Sequence, residues 1–161
     1  MRKAMILLAS VLLLASCGPT SSLPSYHPLY YWGGQHTKFN VSASAYEDSG
    51  YNYYVKQTPE AICALIVAYE DMVSNPGGIR KVPPPGICAE YAYLLINPTT
   101  ADMFAEHATV TQKAVFRGEK DYVTFFSRYA GELFEKEMGL YPESQVFIKP
   151  LVEKIRGSKQ Q

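Results

Sequence analysis

The run Val82-Pro83-Pro84-Pro85-Gly86, followed by I-C-A-E-Y-A-Y-L-L-I to Ile96, constrains this chain more than any other stretch. Proline has a fixed φ and no N–H, so a helix tolerates it only in the first turn, where that N–H would have no partner anyway. The run therefore predicts a hard helix start. Beyond it, apolar residues fall at Ile87, Tyr91, Leu94 and Leu95, with Cys88, Ala92 and Ile96 on an adjoining stripe. A short helix that is apolar on more than one side must be clasped by others. The expected architecture is an all-α bundle of about five helices, with this one in its middle.

The remaining punctuation supports that reading. Ala45–Lys56 reads as a short helix carrying Tyr46, Tyr51, Tyr53 and Tyr54, poor in aliphatic residues and interrupted by Gly50. Thr58 is placed as an N-cap, Pro59 as the first helical residue and Glu60 as a carboxylate matched to the helix dipole. Ile62, Leu65, Ile66, Tyr69, Met72 and Val73 follow at helical spacing until Asn75-Pro76-Gly77-Gly78 stops them. After Asn97-Pro98-Thr99-Thr100, a weaker amphipathic helix begins at Ala101, carries Met103, Phe104, Ala108, Thr111, Ala114 and Val115, and closes at Gly118. Glu119–Met138 is the longest, with Tyr122, Phe125, Phe126, Tyr129, Ala130, Leu133 and Phe134 over a wide arc and Gly139 as a left-handed cap. Phe147, Ile148, Leu151, Val152 and Ile155 mark a last helix, kinked or shortened by Pro150.

Charge and motifs narrow the function. With 161 residues, 47% of them hydrophobic, and 15 basic against 15 acidic side chains, this is ordinary composition for one domain. A net charge of zero leaves no electrostatic footprint for nucleic acid. The sequence has no Gly-rich phosphate loop, no H-E-x-x-H and no G-x-S-x-G, and its cysteines and histidines lack metal or redox spacing. No enzyme, metal or cofactor is expected. His27, His36 and His107 read as surface or capping residues, and Glu132, Glu135 and Glu137 with Lys136 as a solvated helix face. Glu90 has two readings: with Tyr91 and Tyr93 it lines a small groove, or it is an early-turn carboxylate facing the helix dipole.

The amino terminus carries an address. Arg2 and Lys3 precede an apolar run from Ala4 to Leu14, too short for a bilayer span but of signal-peptide size. It ends in Leu14-Ala15-Ser16-Cys17, which resembles the bacterial lipobox. The resemblance implies a signal peptide over 1–16, a lipidated Cys17 opening a Pro- and Ser-rich tether over 17–29, a helical domain over 30–156 and a polar tail over 157–161. An ordinary cleaved signal or a buried apolar helix are the alternatives. Gly18, in place of the aspartate of inner-membrane retention, points to an outer-membrane anchor, and the lack of an acidic run after Cys17 to its periplasmic face. Such a compartment permits disulfides. Cys63 and Cys88, near the starts of adjacent antiparallel helices, would nevertheless stand on the order of 14 Å apart at 1.5 Å per residue, too far to bond. Tyr30, Tyr31 and Trp32 at the tether's end should be pinned to the protein's own helices, the membrane interface or another protein.

Three motifs then converge: Tyr30-Tyr31-Trp32-Gly33, Val82–Gly86 followed by Ala89-Glu90, and Tyr141-Pro142-Glu143-Ser144. Together they resemble a family of small bacterial outer-membrane lipoproteins classed as a domain of unknown function, with a tetratricopeptide-like fold. Measured back from Pro142, Phe134 and Ala130 fall where that repeat places its Phe and small residue, while Glu137 stands where a small residue is usual and implies looser packing. Pro98 to Gly118 reads as an inserted helix. The family is often encoded beside a lipoprotein similar to the curli-secretion channel, which implies a role in an outer-membrane assembly or secretion complex. One helix-turn-helix repeat cannot bury its own faces. Either the terminal helix caps it, or an apolar face is offered to an envelope partner or a second copy. The expected function is a lipid-anchored, non-enzymatic helical adaptor, with contact residues Tyr30, Tyr31, Trp32, Tyr91 and Tyr93. A purely structural envelope lipoprotein, or an envelope enzyme with a Tyr/Glu-lined pocket, are the alternatives.

Overall fold

The computed structural model describes residues 43–158. The signal segment, Cys17, the tether, and Tyr30, Tyr31 and Trp32 lie outside the described residues. Among those described, regular structure is entirely helical, with seven helices and no strand. They are α1 (Ala43–Lys56), α2 (Pro59–Ser74), α3 (Ile87–Leu95), α4 (Thr100–His107), α5 (Val110–Ala114), α6 (Tyr122–Leu140) and α7 (Gln145–Ser158), with a 3-10 turn at Pro142–Ser144 between the last two. The chain forms a helical bundle. Helix α7 runs past residue 156, where the domain was expected to end.

The bundle expected to hold about five helices has seven: six stretches are marked in the sequence, and the one after Thr100 is two helices. Ala108 leaves the helical region at φ −68°, ψ 137°. Thr109 then caps a new helix through a reciprocal box with Gln112, each side chain bonding the other residue's backbone N–H. Thr58 caps α2 as its sequence suggests, accepting from the Ala61 N–H at 3.3 Å. Helix α6 starts later than expected, where Asp121 accepts from Thr124 N–H at 3.0 Å. Gly139 is no left-handed cap. It lies inside α6, which ends at Tyr141 with φ −133°. Pro150 sits within α7.

Helix α3 is clasped as its apolar stripes require, lying mainly against α6 and also against α2 and α4. Ile87, Cys88, Tyr91, Ala92, Leu94 and Leu95 are all buried. The three prolines all precede it, so none occupies its first turn. Gly86 is its N-cap, at φ 90°, a left-handed conformation that any side chain would strain. A glycine cap has no side chain to meet the first helical N–H groups. Glu137 approaches this helix start from α6, its Oε1 accepting from the N–H of the cap residue Gly86 at 2.7 Å.

Glu137 is therefore not part of a solvated face. It is 1% exposed. Glu132, Glu135 and Lys136 around it are exposed, with Lys136 reaching over to donate to the Val73 carbonyl at 3.1 Å. Burial pushes the Glu137 carboxyl above its ordinary value, against the lowering effect of the Gly86, Cys88 and Ala89 amides. Its Oε2 has no hydrogen-bond partner. Packing at this turn is not loose either: Ala130 and Phe134 are buried, and the Tyr141 hydroxyl donates to the Pro83 carbonyl at 2.5 Å. Farther along α6 the core is aromatic, with Phe104 meeting Phe116, Tyr122 and Phe126 edge-on at 5.3, 5.1 and 5.5 Å.

Candidate binding groove

Helix α1 has few aliphatic residues with which to hold α2, and tyrosines do much of that work. Tyr46 meets Tyr69 of α2 edge-on, ring centres 5.5 Å apart. Both hydroxyls donate to the same oxygen, Oε2 of Glu90 on α3, Tyr69 at 2.9 Å. Tyr69 in turn stacks on Tyr91 at 5.4 Å and 15°. The Tyr91 hydroxyl donates to Glu70 Oε2 at 3.1 Å, and Tyr129 stands edge-on to Tyr91 at 5.9 Å. A row of four tyrosines thus crosses the bundle with a glutamate on each flank.

The electrostatics fix who donates. Burial pushes the Tyr46 hydroxyl up to about 12, helped by its bond to Glu90. Burial likewise raises Tyr69, Tyr91 and Tyr129, with the neighbouring glutamates adding to it. These phenols hold their protons throughout the ordinary pH range. They can therefore serve as permanent donors to carboxylates. With both phenol protons on Oε2 of Glu90, its Oε1 receives no hydrogen bond among the described residues.

Glu90 opens into a groove of about 350 Å³ between α1 and α3. Its walls are Tyr53, Tyr54, Tyr69 and Tyr93, over buried Leu65 and Leu94. Tyr53 and Tyr54 stand edge-on to each other, 5.0 Å apart at 66°. Tyr54 is 74% exposed and Tyr93 64%, and Tyr51 on the same helix is also exposed. Large rings left in water beside a carboxylate provide the contacts from which binding sites are built. A second cavity of about 280 Å³ lies among Leu95, Pro98, Ala101, Val123, Phe134 and Val152, where Asn97 and Ser127 supply the polar side chains. Among the described residues no charged side chain lines it, so it offers less chemistry than the tyrosine groove.

Of the expected contact residues, Tyr93 lines the groove. Tyr91 does not. It is fully buried, its ring held between Tyr69 and Tyr129, because the same helix face that presents it also packs on α2 and α6. Cys17, Tyr30, Tyr31 and Trp32 fall outside the described residues. Both readings of Glu90 are partly realised: it stands in the first turn of α3 and also lines the groove. Sequence reasoning missed Tyr46, Tyr53, Tyr54 and Tyr69 as a group. Their signal was the tyrosine-rich, aliphatic-poor composition of α1, which suits a helix held by rings and hydroxyls.

Cys63 and Cys88 are free and buried. Burial raises both thiols, Cys88 to about 12, which suppresses their thiolates. Among the described residues no group of three or more His, Cys, Asp or Glu side chains could hold a metal ion, and no helix is long and apolar enough to cross a membrane. Comparison with protein-family models, with characterised proteins and with solved structures gives no match for this chain.

Proposed function

We propose that this protein is a lipid-anchored, non-enzymatic helical adaptor that binds a protein partner at the outer membrane through the tyrosine groove between α1 and α3. The observation that carries this reading is the pair of exposed rings, Tyr54 and Tyr93, beside Glu90. Interfaces are enriched in tyrosine because it supplies rigid contact area at low entropic cost. Among the described residues the groove is lined mainly by aromatic and aliphatic side chains, a lining that suits contact with a partner. The lipobox-like Leu14-Ala15-Ser16-Cys17 supports the anchor, and the resemblance to tetratricopeptide-like lipoproteins supports a place in an assembly or secretion complex.

The test is site-specific cross-linking in the native envelope. A photoreactive residue replacing Tyr93 should give one saturable adduct, competed by the unlabelled protein and lost when Tyr54 is also changed to alanine. Cys17→Ser should release the chain from the membrane fraction and weaken the adduct. A chain that stays membrane-bound after Cys17→Ser, or a Tyr93 probe that captures nothing, overturns the proposal.

A further inference from the structure

We infer that the tyrosine groove recognises a basic side chain, lysine or arginine, presented by the partner polypeptide. The inference rests on the reading of this groove as the docking surface and adds the chemistry of its occupant. Four aromatic side chains, Tyr53, Tyr54, Tyr69 and Tyr93, surround one carboxylate, Glu90, and among the described residues no basic side chain lines the space. Glu90 has no ion pair among the described residues. Aromatic faces attract a cation through the ring quadrupole, and a carboxylate completes the match.

The geometry also distinguishes among cations. Tyr46 and Tyr69 both donate to Oε2 of Glu90, and this holds the carboxyl group at the groove while Oε1 accepts from no described residue. A lysine ammonium or arginine guanidinium has N–H groups to give to Oε1. A quaternary ammonium has none. This oxygen therefore selects a basic side chain over a methylated headgroup. The edge-on pair Tyr53 and Tyr54, over Leu65 and Leu94, suits the apolar stem that carries such a charge.

The experiment titrates the full chain, its tyrosine rings isotope-labelled for NMR, with the N-acetyl methylamides of arginine, lysine and the neutral isostere norleucine, and with tetramethylammonium. The arginine and lysine probes should shift the Tyr54 and Tyr93 ring signals saturably and bind about tenfold or more tighter than the other two. Glu90→Gln keeps an acceptor for Tyr46 and Tyr69, so helical content should stay the same while the preference for the charged probes is lost. Raising the salt concentration should weaken the charged probes and leave norleucine unaffected. If norleucine or tetramethylammonium binds as well as arginine, or if Glu90→Gln leaves the preference intact, the inference is wrong. If the probes move no ring signal while Tyr93 still forms its adduct in the envelope, the groove docks a partner by other chemistry and only the inference falls. If neither result appears, both readings fall.

Discussion

Two glutamates flank the first turn of α3 and occupy opposite environments. Glu137 reaches it from α6, is buried, and accepts from the Gly86 N–H at a cap that has no side chain of its own. Glu90 belongs to α3, is exposed, and accepts from Tyr46 and Tyr69 at the edge of a groove. The first carboxyl group is committed to holding a helix start. The second is held in place by two phenol donors on one oxygen, while its other oxygen accepts from no described residue. Burial without a full set of partners makes a carboxylate structural, and exposure with oriented partners leaves it available for binding.

The largest effect should come from the buried member. Glu137→Ala leaves the Gly86 N–H unmet inside the protein, and urea denaturation should show a loss on the order of 1–3 kcal/mol. A loss no greater than that of Glu90→Ala would break the comparison. Tyr141→Phe removes only the hydroxyl that donates to Pro83 and should lower stability by about 1 kcal/mol in the same assay.

Proton linkage sharpens the contrast. The folded Glu137 carboxyl lies above its ordinary value of 4.5, so the native state holds this proton more tightly than the unfolded chain does. Its contribution to stability is complete below the unfolded value and is lost as pH rises through the raised folded value. Urea midpoints should therefore show a fall with rising pH in this window that Glu137→Gln flattens, since the glutamine carbonyl can still accept from Gly86. An unchanged slope in that variant would assign the titration to another group. The smallest effect on stability belongs to the exposed ring: Tyr93→Ala should change stability by no more than about 0.5 kcal/mol while weakening the saturable shift of the Tyr54 ring signals by the arginine probe. A larger loss would make Tyr93 a packing residue.

Local chemistry made part of this arrangement readable. The apolar stripes of α2 and α3, the cap at Thr58 and the stop at Asn75-Pro76-Gly77-Gly78 all appear where residue type and spacing place them. Two further local signals mark the breaks around α5: Thr109-x-x-Gln112 is a capping box, and Asp121 caps α6. Glu137 was different. In a stretch containing Glu132, Glu135 and Lys136 it looks solvated, and nothing local marks it as the residue that turns inward. Its partner, Gly86, lies far away in the chain. The same holds for Tyr91, whose neighbours Glu90 and Tyr93 line the groove although its own ring is buried.

By itself the sequence determined the helical class, most helix positions and the apolar faces that must meet, because those follow from periodicity, caps and prolines acting within a few residues. Only the tertiary structure decided which glutamate is buried, which tyrosines share a carboxylate and where a groove remains open. Those outcomes depend on contacts between residues distant in the chain, and the burial they create sets the protonation and hydrogen bonding that no local pattern encodes.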